Sequence, residues 1–274
     1  MSNNIVTPTT YSDEESLVSN SAVTIQGGSG VLPRYYNCTV TAMNSNIMVN
    51  GTQNSNFNVM GGTTTINGAQ YSNFMISGSP TTVSGGNNNN FNADGSLLFS
   101  QGTGFNSIVN TGQTFIFGTD GLNLVLRSYN SDALFVANEG NETLNAAGST
   151  SPITVYASQT SNHNTNLVVT TGSGNDELDA GTGNSTLNGG AGNNIFVFNK
   201  DTDAGGRTVI GDFAVSAGNK ISLYNYNLTQ DSLGALLASS HNDSNGNAVL
   251  NLDNHQITVQ GVSINNLHTE QFNI

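Results

Sequence analysis

Residues 171–197 read TGSGNDELD (171–179), AGTGNSTLN (180–188) and GGAGNNIFV (189–197), three nonapeptides in one frame. Gly recurs at the second position (Gly172, Gly181, Gly190) and at the fourth (Gly174, Gly183, Gly192). Asn recurs at the fifth (Asn175, Asn184, Asn193), and a large apolar residue at the eighth (Leu178, Leu187, Phe196). Paired Gly permits sharp turns, and one inward apolar side chain per repeat suits a short strand over a narrow core. A nine-residue period of this kind marks a coil that turns, lays down one strand and turns again.

The rest of the chain agrees with a thin, extended β-core. Only 8% of the 274 residues are charged, which is too few for an ordinary disordered chain. Asn, Gly, Ser and Thr fill the intervals between β-branched and aromatic residues, as expected for many short strands joined by tight turns. The net charge of −13, with 5 bases in all, offers no basic patch for phosphates and excludes nucleic acid as a partner. No stretch approaches the roughly 20 apolar residues of a membrane span, so no membrane insertion is expected. Cys38 is the sole cysteine and reads as a small buried residue. The N-terminus MSNNIVTPTTYSDEESLV has neither a basic nor an apolar leader region, so no cleaved signal is expected.

Residues 1–22 are polar and read as a flexible N-terminal arm. From about residue 38 a second period appears, of 17 residues. Phe57, Phe74, Phe91 and Ile108 form one column, with Asn56, Asn73 and Asn90 just before its first three members. Val49, Ile66, Val83, Ser100 and Phe117 form another, and Gly51, Gly68, Gly85 and Gly102 follow two residues after its first four. Two strands and two corners per unit describe a β-solenoid whose coils stack about 4.8 Å apart. In such a stack an Asn column becomes an amide ladder and a Phe column an aromatic stack. Like charges would repel at that spacing, and between Arg34 and Asp120 only Asp94 is charged. Strands are expected further on in LNLVLRSY, DALFVAN and PITVYAS, and a helix over 229–240 with Asp231 as N-cap and Leu233, Leu236 and Leu237 on one face.

GGAGNNIFVF (189–198) resembles the last repeat of the repeats-in-toxin (RTX) family, GGxGxDx(apolar)x. TVIGDF (208–213) with GNKISL (218–223) is similar to the segment that caps such β-rolls. ITVQGVSINNLHTEQFNI (257–274), with Leu267 in a short helix and Phe272 near the end, resembles the ending of proteins exported by type I secretion. The resemblance covers 171–274. It implies a Ca2+-binding roll and one-step export from a Gram-negative cell without an N-terminal signal peptide. The implied organisation is a flexible arm (1–22), a β-solenoid body (23–165), an RTX-like β-roll (166–199), and a C-terminal cap and secretion region with one or two short helices (200–274).

In such rolls the sixth-position Asp and the carbonyls of the Gly turns hold Ca2+ between coils. The sixth positions here are Asp176, Ser185 and Asn194. Asp176 alone keeps the carboxylate; Asn194, two repeats later and on the same side, offers an amide oxygen. The ligand set implied by the resemblance is therefore Gly172, Gly174, Asp176, Gly190, Gly192 and Asn194. Calcium needs roughly six to eight oxygens and binds more tightly as more are anionic, so one carboxylate predicts one weak site or none. Alternatively, Ser185 and Asn194 hydrogen-bond within their turns and make the metal unnecessary.

Other chemistry is thinly signalled. Glu177 and Asp179 are expected on the outer face, and Asp212 is expected to accept backbone hydrogen bonds in the cap. His163, His241, His255 and His268 lack zinc spacing, and no nucleophile motif or close carboxylate pair falls within a recognisable cleft segment. The expectation is a secreted, noncatalytic structural protein of the bacterial cell surface or biofilm matrix, self-associating as a homo-oligomer or head-to-tail filament. The alternatives are an adhesin or carbohydrate-binding module using Tyr35, Tyr36 and Tyr71 on extracellular polysaccharide, and a polysaccharide lyase or epimerase.

Overall fold

A computed structural model describes residues 3–6, 17–138, 140–157, 165–201, 205–253 and 255–274. It is mostly β-strand, a β-solenoid with coils about 18 residues apart and one α-helix near the C-terminus. The chain divides into two compact units, Met1–Phe117 with Leu122–Asp132, and Gly118–Gly121 with Ala133–Ile274.

In the first unit every described strand pairing is parallel and joins one coil to the next. Thr39–Asn50 pairs along its length with Asn56–Asn67, which continues into Asn73–Ser77 and Thr81–Ser84. The 17-residue columns are real rungs: Phe57, Phe74, Phe91 and Ile108 are register partners in turn. The rings of Phe57 and Phe74 stack with centroids 4.9 Å apart, and those of Phe74 and Phe91 at 5.0 Å. Asn73 donates to the Asn56 side-chain oxygen at 2.9 Å, and Asn90 to that of Asn73 at 2.9 Å. Aromatic burial inside and amide ladders outside thus follow from one rule, that equivalent side chains lie one strand spacing apart.

The second column departs from expectation. Val83 pairs with Phe99, not Ser100, and Phe99 with Ile116, not Phe117. Ser77-Gly78-Ser79-Pro80 turns one corner, whereas the next coil passes from Asp94 to Leu97 with one residue fewer. A shift of one flips a strand's faces, so Phe99 and Ile116 fill the core while Phe117 faces outward. The left-handed corner position of Gly51, Gly68 and Gly85 accordingly falls on Gln101, with φ of 54°, and not on Gly102.

Most of the arm expected over 1–22 lies outside the described residues. Its described parts include the strands Asn3–Val6 and Leu17–Ser19. Asn3–Val6 pairs parallel with Ala22–Ile25, and Leu17–Ser19 with Arg34–Tyr36. The edge of the Ala22–Gln26 strand offers unpaired backbone groups, and a preceding extended segment satisfies them. Cys38 is free and buried.

In the second unit, Ala133–Val136 pairs with Ile153–Tyr156, and Asn141–Asn145 with Thr165–Thr170. The roll follows, with Gly183–Asn188 on Thr165–Thr170 and Ile195–Asn199 on Glu177–Asp179. Each nonapeptide is half a coil, so the first and third stack on one side and the second lies on the other. Gly206–Ile210 and Lys220–Tyr224 extend the two faces. His255–Val259 then pairs parallel with Gly206–Ile210 and antiparallel with Ala248–Leu252, ending the coil pattern with a hairpin. Phe272–Asn273 pairs with Ile221–Ser222 and buries Phe272. Leu267 is buried just after the 3-10 turn Ile264–Asn266, not within it.

The α-helix spans Gln230–Ser239. Its N-cap is Thr229, not Asp231: Ser232 N–H donates to the Thr229 hydroxyl at 3.2 Å, and the Ser232 hydroxyl accepts from Thr229 N–H at 2.7 Å. This reciprocal pair satisfies two groups at once, leaving Asp231 in the first turn where its charge suits the helix dipole. Leu233 is buried beneath it.

Candidate functional site

The turns that open the first and third nonapeptides, 171–176 and 189–194, stack directly. A Cβ on Gly190 would lie 2.2 Å from the Gly172 carbonyl oxygen, and one on Gly192 2.0 Å from that of Gly174. Both residues also have positive φ, 68° and 92°, so Gly is required twice over. Gly172, Gly174, Asp176, Gly190, Gly192 and Asn194 are therefore brought together as one pair of turns.

The side chains at the sixth position build a ladder. Ile153 N–H donates to Asp176 Oδ1 at 2.8 Å, Asp176 N–H to Asn194 Oδ1 at 2.9 Å, and Asn194 N–H to Asn219 Oδ1 at 2.8 Å. Each rung satisfies a buried backbone donor that no sheet pairing reaches. Asn219 continues the column and anchors it through its own amide, which donates to the Phe213 carbonyl at 3.0 Å. Neither its role nor that of Thr171 was read from sequence; the signal is that 153, 176, 194 and 219 occupy one position on successive coils.

The ladder gives the sixth-position residues different second partners. Asn194 Nδ2 donates to the Gly189 carbonyl at 2.9 Å and to that of Ala191 at 3.4 Å. The Ser185 hydroxyl donates to the Ala180 carbonyl at 2.8 Å. Asp176 has no hydrogen to give. Its side chain is 2% exposed, and among the described residues nothing donates to Oδ2 within hydrogen-bonding distance. Burial pushes its carboxyl up to about 6, against smaller opposing effects of the Thr171 hydroxyl and Ile153 N–H. The Thr171 hydroxyl also lies 3.0 Å from the Gly189 carbonyl and 3.4 Å from that of Asn188, so its one hydrogen is shared among several acceptors.

Two neighbouring carboxylates are fully employed. Asp212 bridges the last turn, accepting from Gly189 N–H at 2.9 Å and from Gly190 N–H at 2.7 Å, as expected from its place in the cap. Asp179 is not on the outer face. It is buried where the Glu177–Asp179 strand ends, and its Oδ1 accepts from Gly181 N–H at 3.0 Å, folding back onto the turn. Among the described residues no three His, Cys, Asp or Glu side chains cluster as a metal site.

These residues fit a cation at the Asp176 turn alone. The sealed, unpartnered Oδ2 is an anionic oxygen in want of a positive partner. Asn194 Oδ1 accepts one hydrogen bond, from Asp176 N–H, so it is shared with the ladder.

The first unit carries a second surface of interest. A groove of about 440 Å³ crosses the outer face of its coils, lined by Asn56, Asn58, Asn73, Met75, Asn90 and Asn92 among others. The tyrosine platform expected from sequence does not form. Tyr35 is buried edge-on against Phe57 at 5.7 Å, while Tyr36 and Tyr71 are exposed and occupy different rungs.

Residues 170–204 match the family model of the RTX calcium-binding nonapeptide repeat, in four copies. The N-terminal part of the chain matches no family model. A comparison with curated proteins finds no significant match. RTX nonapeptide repeats are calcium-binding repeats, which supports Ca2+ as an ion for this roll. RTX repeats, here set within a β-solenoid, indicate a secreted protein. No helix among the described residues is long and apolar enough to cross a membrane.

Proposed function

We propose that this is a noncatalytic structural protein of the bacterial cell surface or biofilm matrix, self-associating head to tail through the strand edges of its coils. The observation that carries the reading is the in-register, nearly uncharged stack of the first unit. Its Asn and Phe columns repeat at one strand spacing, and among the described pairings Ser29–Leu32 bonds only Asn46–Val49, which leaves its outer edge for another chain. Asp94, the one charged residue between Arg34 and Asp120, is held by its own stack: Gly78 N–H and the Ser77 hydroxyl both donate to it, and they hold its carboxyl below the usual range. A heterologous contact of this kind propagates into filaments rather than closing. Negative-stain microscopy of the purified chain, with and without Ca2+, tests it. Linear assemblies are expected, and monodisperse particles under both conditions would sink the reading.

The groove supports a second reading, binding of an uncharged extracellular polysaccharide. Amides at the spacing of successive coils, beside an exposed Met75, offer hydrogen bonds and apolar contact without charge. A glycan array separates the two readings, because only this one requires saturable binding that Asn58→Ala and Asn92→Ala weaken.

A further inference from the structure

We propose that Asn194 and Ser185 fill, with their own hydrogens, the carbonyl positions that a cation takes in a calcium-binding repeat, so that the roll closes without metal and only the Asp176 turn keeps a place for one.

The lone-pair count at Gly189 is the firmest support. A carbonyl oxygen has two acceptor positions. That of Gly189 receives Asn194 Nδ2 at 2.9 Å and has the Thr171 hydroxyl 3.0 Å away, so a metal would have to displace one of them. The second amide hydrogen of Asn194 turns to the Ala191 carbonyl. Its oxygen accepts from Asp176 N–H. Asn194 is fully buried, and each polar atom of its side chain has a hydrogen-bond partner. An Asp here could accept from Asp176 N–H equally well, but its second oxygen would face the Gly189 and Ala191 carbonyls with nothing between. A carboxylate beside carbonyls needs a cation or a proton. An amide supplies the positive end of a dipole instead.

Ser185 repeats the solution on the opposite side of the roll. Its buried hydroxyl donates to Ala180, five residues back, as Asn194 does to Gly189. Asp176 is the contrasting case. It makes the same ladder bond through Oδ1, yet its Oδ2 is the one sixth-position atom left buried without a partner. Outside the turns, Asp212 pins Gly189 and Gly190 through their N–H groups, which also holds the last turn closed without metal.

The test uses the full chain and three forms: the native protein, Asn194→Asp and Asn194→Ser. Thermal unfolding is followed by circular dichroism in EGTA and in millimolar Ca2+, and calcium binding by calorimetry. The native chain is expected to stay folded in EGTA and to take up no more than one Ca2+ per chain. Asn194→Asp is expected to melt several degrees lower in EGTA, to recover in Ca2+, and to gain one bound ion. Asn194→Ser, which keeps a neutral donor, is expected to fall between the two in EGTA and to gain no ion. Loss of the native fold in EGTA overturns the proposal. So does an Asn194→Asp variant indifferent to Ca2+, or an Asn194→Ser variant less stable in EGTA than Asn194→Asp. If neither variant folds, the native chain's response to EGTA and its calcium stoichiometry decide. Filament formation plays no part in these readouts, so this inference and the proposed function fail separately.

Discussion

The 17-residue coils of the first unit and the nonapeptide roll of the second solve one problem with different residues. Each corner leaves buried N–H groups that sheet pairing does not reach. In the first unit the column Cys38, Ser55, Ser72, Asn89, Asn106 meets the need. The N–H of each of the first four donates to the side-chain oxygen of the next, at 3.1, 3.2, 3.1 and 3.3 Å. In the roll the column Ile153, Asp176, Asn194, Asn219 does the same. Every oxygen-bearing member of the first column is neutral and can donate as well as accept. The second contains one carboxylate. The two columns share one corner architecture, and under the proposal above the choice of oxygen or nitrogen at the sixth position decides whether a cation is needed.

Breaking the shared core of the first unit should have the largest effect. Phe74→Ala removes the middle ring of the stack and is expected to cost about 3–5 kcal/mol in denaturant unfolding. Asn219→Ala should come next. It leaves the buried Asn194 N–H unpaired, at about 1–3 kcal/mol, and it should destabilise EGTA-treated and Ca2+-treated protein equally. An effect confined to one condition would mean that the ladder and the metal are not separable.

His255 provides a pH comparison within the second unit. It is buried against Phe198 with Nε2 at 2.9 Å from the Thr208 hydroxyl, and burial pushes its imidazole down from 6.5 to about 4. The unfolded chain therefore takes up the proton first as pH falls. The contribution of neutral His255 is intact above pH 6.5 and is lost as pH falls toward about 4, on the order of 2–3 kcal/mol. The difference in urea midpoint between the native chain and His255→Gln, followed from pH 7.5 to 4, should show this slope; Asp176, raised to about 6, gives an opposite slope that is common to both proteins and cancels in the difference. The smallest effect is expected at the outer ladder. Asn73→Ala breaks two exposed amide bonds and should cost under about 1 kcal/mol, while leaving the Phe column intact. A larger loss would mean that the amide ladder, not the aromatic stack, holds the coils together.

The parts legible in the sequence are those where the same side chain recurs. Phe57, Phe74 and Phe91 announce their column because a stacked ring favours a ring above it. The shorter corner before Leu97 was hidden because Ser100 happens to preserve the interval of 17 while the register moves by one. The corner ladder was hidden for another reason. Ser55, Ser72, Asn89 and Asn106 share an oxygen and not a residue type, so no identity marks the column. In the roll the frame was legible, and with it the meeting of Asp176 and Asn194 on one side. The direction of the Asn194 amide was not, because its choice of Gly189 depends on Thr171 and Asp176 from the coil before. Asp179 looked solvent-facing by alternation, but it stands at a strand end, where alternation no longer governs direction.

The central claim, that the corner ladder closes the roll without metal, is tested most directly by hydrogen exchange read peptide by peptide. Peptides covering 171–197 should show the same slow exchange in EGTA as in Ca2+, apart from added protection around Asp176 when the ion is bound. Protection of 189–197 that appears only with Ca2+ would contradict it.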